Sequence, residues 1–350
     1  MEQIVRAIDV GYGNCKYVSR IQNGRFVCHS FPAIAPLASD HGLDLDPKNK
    51  RKTITVPAGP LEYEVGPDVM LAQGVYEIRN LDDDYALSDD YLALVRGALR
   101  YMRLDHIDLL MVGLPVNLLK RRKADLEKRL QGIHELGDGK RINVKRVRAM
   151  AQPMGSFLAY AVPHKQQESL LLKRNVIIDP GWRTYDWVVT QDMKVWDKRS
   201  DAVNKGMYDV IDEIAKAIGK ERQSAVGLVN YERIDAALRQ KTALSLAGKL
   251  IDLAHYIDAG KRVAQQGVMA MRKLVSDGDD IDNFIISGGG SFFYKPLIQL
   301  AYPSHPIIEL DDPMFANVRG FQIAGVEMMD AFAFKQAARK EHTADEAHVE

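Results

Sequence analysis

Two short stretches set most of what this chain can fold into. "IDVGYGNCKYV", residues 8–18, and "IIDPGWRTYDWVV", residues 177–189, share one order of parts. In each, an apolar run delivers an aspartate, a glycine follows two positions later, and a β-prone stretch resumes. Asp9 and Asp179 stand 170 positions apart in a chain of 350. The repeat predicts two related halves, each presenting one carboxylate on one glycine turn between two strands.

The intervening pattern fits two such halves. Residues 4–10, 14–20 and 25–31 read as three strands, the second turn carrying Asn23-Gly24. Prolines punctuate 32 to about 90, which reads as a small inserted subdomain. A helix over 91–103, the buried strand "IDLLMVGLP", a helix over 117–131, a hairpin near 139–150 and a helix over 154–162 complete the first half. After a charged crossover at 163–174 the plan repeats, with strands at 175–179, 184–190 and 193–198 and a helix from Gly206 to Ile218. A helical insertion is expected over about 221–275, its long piece starting at "LAGKLIDLAHY". "IDNFIISGGGS", a further helix, the strand "PIIEL" and an amphipathic helix over 316–334 follow. The tail 335–350 has no sustained apolar face and is expected to fray. The domains expected are thus 1–172, with the insert at 32–90; 173–315, with the insertion at 221–275; and 316–350, a helix returning to the first domain with its polar tail. The fold class is α/β, with parallel and antiparallel strands mixed.

Composition narrows the partners. Apolar residues at 46% suffice for two cores, and 47 basic against 47 acidic residues give no overall field that draws the chain to nucleic acid or anionic lipid. Cys15 and Cys28 cannot make a staple framework or a cysteine metal site, and they suit a reducing cytosol. No signal-peptide core and no apolar run of about 18 residues is present, so a cytoplasmic protein without membrane partners is expected. The histidines lack ligand spacing, and neither a nucleophile elbow nor a Walker-type phosphate loop occurs.

The turns themselves point to phosphate. Without a Cβ, a glycine turn lets backbone N–H groups approach an anion, and two facing turns would hold one polyphosphate from both sides. One Asp per turn suits Mg²⁺, which takes oxygen ligands and keeps waters. Lys16, seven positions after Asp9, would reach a β- or γ-phosphate. Either turn alone is also what an ordinary hairpin with an Asp at its shoulder looks like. A third candidate is the run Gly288, Gly289, Gly290 and Ser291, where a buried strand opens into a helix N-terminus; such turns also serve close packing. Gly206 opens another helix, with Asn204 as a plain N-cap alternative. Gln152, between a strand and a helix, can orient a water for attack on a terminal phosphate, or simply serve the turn.

These residues carry a family likeness. Asp9-Val-Gly-Tyr-Gly-Asn-Cys-Lys16 resembles the phosphate-1 turn of the actin-like ATPase superfamily. Asp179-Pro-Gly-Trp-Arg-Thr-Tyr-Asp186 resembles its phosphate-2 turn, and Ser287-Gly-Gly-Gly-Ser291 its adenosine motif. The stretches around Gln152 and "FANVRGFQIAG" (315–325) resemble its two connecting helices. Five motifs in order span nearly the whole chain. Within the superfamily the sequence is most similar to bacterial plasmid-segregation actins of the ParM/StbA type, including the PRTRC-system protein D group.

The resemblance implies two related ribonuclease-H-like domains around a nucleotide cleft, and an Mg²⁺-dependent triphosphatase using ATP or GTP. It implies that Asp9 and Asp179 hold Mg²⁺ through waters and that Gly11, Gly13, Asn14, Lys16, Gly181, Thr184, Gly206 and the 288–291 turn contact nucleotide. Gln152 and Asp179 take the catalytic places, although relatives often carry Glu near the former. It further implies head-to-tail filaments that move plasmid DNA through a DNA-binding adaptor. A monomeric small-molecule kinase on the same fold is the alternative, and a membrane-linked scaffold or a chaperone fits less well. The departure is Trp182-Arg183, where the family has small residues; the Trp ring is expected to turn away from phosphate into packing.

Overall fold

The computed structural model describes residues 3–39, 50–72, 79–163, 169–170, 172–192, 194–227 and 230–346, with side chains to 334. In chain order the first half comprises β1 (Val5–Val10), β2 (Asn14–Gln22), β3 (Arg25–Pro32), β4 (Ile54–Ala58), β5 (Leu61–Val65), α1 (Asp89–Met102), β6 (His106–Ile107), β7 (Leu109–Leu114), α2 (Val116–Leu130), β8 (Gly132–Glu135), β9 (Arg141–Val144), β10 (Val147–Ala151) and α3 (Gln152–Ala161). The second comprises β11 (Arg174–Pro180), β12 (Tyr185–Gln191), β13 (Lys194–Val195), β14 (Asp201–Val203), α4 (Met207–Arg222), α5 (Tyr231–Gln240), β15 (Leu244–Leu246), β16 (Lys249–Ile251), α6 (Ile257–Val275), β17 (Asn283–Ile286), α7 (Ser291–Ala301) and β18 (Ile307–Glu309). The long helix α8 (Ala316–Glu346) ends the described chain.

The two halves share one sheet topology. The first sheet has the order β10-β7-β1-β2-β3, and the second β18-β17-β11-β12, with β13 and β14 both on the far edge of β12. In each, an antiparallel meander sits beside two parallel strands. The parallel strands are apolar because helices cover both faces: β7 is buried at every position. Separate cores fill the two halves, one built around Ile8, Leu94 and Val112, the other around Ile178, Ile214 and Phe284.

Two helices exchange between the halves. α3 leaves β10 of the first sheet, yet Phe157 and Ala161 pack with Ile177 and Ile285 of the second. α8 leaves the second half and lays Val318, Phe321 and Ala324 against Val5, Ala7 and Met111 of the first. Where they cross, Gly155 and Gly320 bring the two backbones together, and a Cβ on Gly320 would collide with the Gly155 carbonyl.

Local chemistry explains the boundaries. Asn23 and Gly24 both take positive φ, 51° and 72°, which matches a tight hairpin between β2 and β3. Ser88 caps α1, its hydroxyl accepting from the Tyr91 amide at 3.2 Å.

Four expectations are corrected. The hairpin near 139–150 is two strands in different sheets: β9 pairs with β8, while β10 joins β7 in parallel. The third strand of the second meander is not 193–198; short β13 is followed by a single helical turn, and β14 makes the pairing with β12 near the turn. The piece starting at "LAGKL" is not α-helical until Ile257, with only a single 3-10 turn at Leu253–His255 before it. Ala247 and Gly248 adopt positive φ, 49° and 74°, and close the β15–β16 hairpin. Finally, the backbone of the tail stays helical to Glu346, in keeping with its Ala, Lys and Glu content. Half of the charged crossover (164–168 and 171) lies outside the described residues.

Candidate functional site

The two glycine turns are superposable in their bonding. In the first, Gly11 N–H donates to the Asn14 carbonyl at 3.1 Å; in the second, Gly181 N–H donates to the Thr184 carbonyl at 2.8 Å. Asp9 lies directly across from Lys16 on β1 and β2, as Asp179 lies across from Asp186 on β11 and β12. The turns face one another over a cleft of about 810 Å³, counting its open mouth. Gly11, Gly13, Asn14, Lys16 and Gln152 line it from the first half, and Asp179, Gly181, Thr184 and Asp186 from the second.

The cleft floor is a buried charge cluster. Asp9 is fully buried; its Oδ2 accepts from Lys16 Nζ at 3.0 Å and its Oδ1 from Gln152 Nε2 at 2.8 Å. Asp179 Oδ2 accepts from Asn317 Nδ2 at 2.5 Å. Burial alone would lower the Lys16 ammonium, but the charges of Asp9 and Asp179 outweigh it and hold the group above its usual value. Burial raises the Asp179 carboxyl above the ordinary range, although the Asn317 hydrogen bond and Lys16 pull the other way. Burial likewise pushes Asp186 up to about 7, with the charge of Asp179 adding to it. Asp186 Oδ1 accepts from the Val116 amide at 2.9 Å, a contact from the second half to the first turn of α2 in the first.

Two carboxylates beside one ammonium offer oxygen donors only, the set a hard cation prefers. Among the described residues no group of three or more His, Cys, Asp or Glu side chains stands ready to enclose a metal. The donors therefore suit a hydrated Mg²⁺ completed by water and phosphate oxygens; Asp179 lines the cleft and would face it, while Asp9 lies buried behind Lys16 and Gln152.

The rim carries residues that sequence reasoning left out. Arg79 reaches across the cleft: its guanidinium donates to the Gly13 carbonyl at 2.5 Å and the Tyr12 carbonyl at 3.3 Å, pairs with Glu232 of α5, and stands 5.1 Å over the Trp182 ring. Trp182 packs against both cores and also lines the cleft, and a Cβ on Gly13 would come within 2.9 Å of the Trp182 Cβ and 3.2 Å of its ring. The bulky residue is thus held in packing, as expected, at a place that also borders the cleft. On α5, Glu232, Asp235 and Arg239 form one polar face of the cleft, with Arg239 Nε on Asp235 Oδ2 at 2.7 Å and its guanidinium on the Gly289 carbonyl.

The residues matched by known families cover both halves. Residues 7–155 match the family described as "Actin like proteins N terminal domain", and residues 177–299 match "Archaeal actin homologue MreB-like, C-terminal". The chain belongs to the actin-like superfamily. Its fold matches a ParM from a 15-stranded Clostridium botulinum filament at 21% identity and a TM-score of 0.72, covering 93% of this chain and 100% of that one. The apo pSK41 ParM protein matches at 21% identity and 0.66, covering 95% and 99%. An archaeal actin homologue, Ta0583, in complex with ADP matches at 18% and 0.70, covering 93% and 100%. No curated protein sequence matches the chain.

In this actin-like chain the predicted site residues divide into two sets. Those of the two turns except Asp9 gather in the cleft with Gln152, and Gly289 joins them; Asp9 is fully buried, with one oxygen on Lys16 and the other on Gln152. Gly288 and Gly290 instead bind the third turn to its neighbours, Gly288 N–H to the Pro313 carbonyl at 3.1 Å and Gly290 N–H to the Pro180 carbonyl at 2.8 Å. Ser291 is turned towards β18, where its hydroxyl donates to Glu309 at 3.1 Å. Gly206 lies beneath the second turn, its N–H on the Arg183 carbonyl at 3.0 Å, and it takes the N-cap place of α4 that Asn204 was offered. Among the missed residues, Asn317 had a legible signal: a polar amide inside the apolar run "FANVRGFQIAG" needs a buried partner.

Proposed function

We propose that this chain is a filament-forming nucleoside triphosphatase that closes its two halves over Mg²⁺ and ATP or GTP, and that it serves plasmid segregation in the cytoplasm. The observation that carries the reading is the pair of turns closed by the same hydrogen bond and facing across one cleft, with Lys16, Gln152 and Asp179 lining it and Asp9 buried behind the first two. The ADP complex of one structural relative and the filament of another are in keeping with it. With the Gly11 and Gly181 N–H groups spent on closing the turns, the amide at Gly13 and those that follow Gly181 would face phosphate from both sides, and Lys16 would neutralise it as a point charge. Bound Mg²⁺ would supply charge neutralisation at the phosphates. Gln152 would orient a water against the terminal phosphate; its amide donates to Asp9, and that contact fixes which way it points. A balanced charge argues that DNA is reached through an adaptor. Among the described residues no helix is long and apolar enough to cross a membrane.

Calorimetry with ATP, with and without Mg²⁺, tests the reading. Wild type should bind more tightly with the metal, and Asp179→Ala should lose most of that gain. Gln152→Ala should bind normally but turn over more slowly, by roughly one to three orders of magnitude. A wild-type protein that neither binds nor hydrolyses a triphosphate would end the proposal.

A further inference from the structure

Asn317 stands one turn before the point where α3 and α8 cross, and it is buried. Both ends of its amide are engaged. Nδ2 donates to Asp179 Oδ2 at 2.5 Å, and Oδ1 accepts from Ser156 Oγ at 2.5 Å. Chemistry dictates this orientation: an ionised carboxylate only accepts, so the NH₂ group must face it and the carbonyl is left for the hydroxyl. The three residues come from three elements. Ser156 is on α3, Asn317 opens α8, and Asp179 sits near the end of β11. The relay therefore joins both helices that link the halves to one of the two cleft carboxylates. Backbone packing is tight around it, since a Cβ on Gly155 would lie 2.5 Å from the Asn317 carbonyl. An apolar side chain would fill the same space without needing two buried partners.

We propose that Asn317 is a positioning residue: with Ser156 it holds the Asp179 carboxylate at the angle from which it faces a nucleotide-bound Mg²⁺, and it ties that angle to the crossing of the two linking helices. This rests on the nucleotide reading above. Without the amide, Asp179 keeps its strand but loses the donor that selects its rotamer. The gain in nucleotide affinity that the metal brings should then fall, while affinity without metal stays.

The test compares wild type, Asn317→Ala and the milder Ser156→Ala by calorimetry with a slowly hydrolysed ATP analogue, with and without Mg²⁺, after each is shown to melt cooperatively. The Mg²⁺-dependent gain should drop about ten-fold in Asn317→Ala and about three-fold in Ser156→Ala, the loss of one charge-assisted and one neutral hydrogen bond. Metal-free affinity should stay within about two-fold of wild type. A folded variant with the full wild-type gain overturns the proposal. Equal losses with and without Mg²⁺ overturn it too, since they reduce the relay to packing. Should Asn317→Ala not fold, Ser156→Ala decides alone. A wild type that shows no Mg²⁺ gain at all removes the metal reading itself, and that outcome is recognised without any variant.

Discussion

Lys16 and Asp186 occupy the same place in the two halves, each directly across a strand pair from the cleft aspartate, yet one is a base and the other an acid. Opposite charges facing across strands stabilise and like charges do the reverse. The first pair is therefore a buried ion pair, and the second is relieved by protonation: Asp186 is pushed from 3.8 to about 7 by burial and by Asp179. A carboxyl whose folded value is raised contributes stability in full below its unfolded value and loses it as pH rises through the folded one. Asp186→Asn keeps an acceptor for the Val116 amide and carries no charge. Wild type should thus lose stability relative to this variant between about pH 4 and 7, by roughly 2–4 kcal/mol at most. Asp179 titrates in both proteins and is coupled to Asp186, so their difference reports Asp186 together with that coupling. Parallel melting curves across that range would refute the assignment. The sequence displayed Asp9, Asp179 and their glycines because the motif occurs twice and each copy vouches for the other. It displayed Lys16 and Asp186 as well, but because they differ in charge their equivalence appears only once the register is known.

At the scale of elements, the first meander, the first two strands of the second and the apolar parallel strands were legible because alternation and full burial leave distinct patterns in a few residues. The second insertion was not. A two-residue turn at Ala247-Gly248 lacks the Asn or Asp that usually announces a hairpin, and α6 supplies a helical period immediately afterwards. The contribution of α5 to the cleft was hidden for a different reason. Its Glu232, Asp235 and Arg239 look like any solvated helix face until Arg79 arrives from the other half. That bridge is testable. The Arg79 side chain is 9% exposed and satisfies two carbonyls, a carboxylate and the Trp182 ring, so Arg79→Ala should destabilise by about 1–3 kcal/mol. Glu232 is 37% exposed, so Glu232→Gln should cost under about 1 kcal/mol. Denaturant titration of the double variant should show coupling above about 0.5 kcal/mol. Strict additivity would mean the two side chains do not meet in solution.

For the whole molecule, the consequence lies in how the halves are joined. α3 and α8 cross at Gly155 and Gly320, and each helix packs on the half it did not come from. A ligand gripping both turns therefore acts on the same pair of helices that sets the angle between the halves. Each half also carries a hairpin foreign to the shared topology, β4–β5 in the first and β15–β16 in the second, so the two halves present unlike surfaces. A contact between unlike surfaces does not close on itself, and it propagates as a filament when the rotation between copies fails to form a ring. Nucleotide that fixes the angle selects the conformation in which such a contact fits. Polymer should then appear above a critical concentration with Mg²⁺ and a slowly hydrolysed ATP analogue. With ATP it should appear and then shorten as the nucleotide is consumed. Asp179→Ala should require more protein for the same polymer, in proportion to its lost affinity. Sedimentation and electron microscopy over a concentration series supply the measurement. A protein that binds and hydrolyses ATP yet stays monomeric throughout would keep the cleft and end the filament reading.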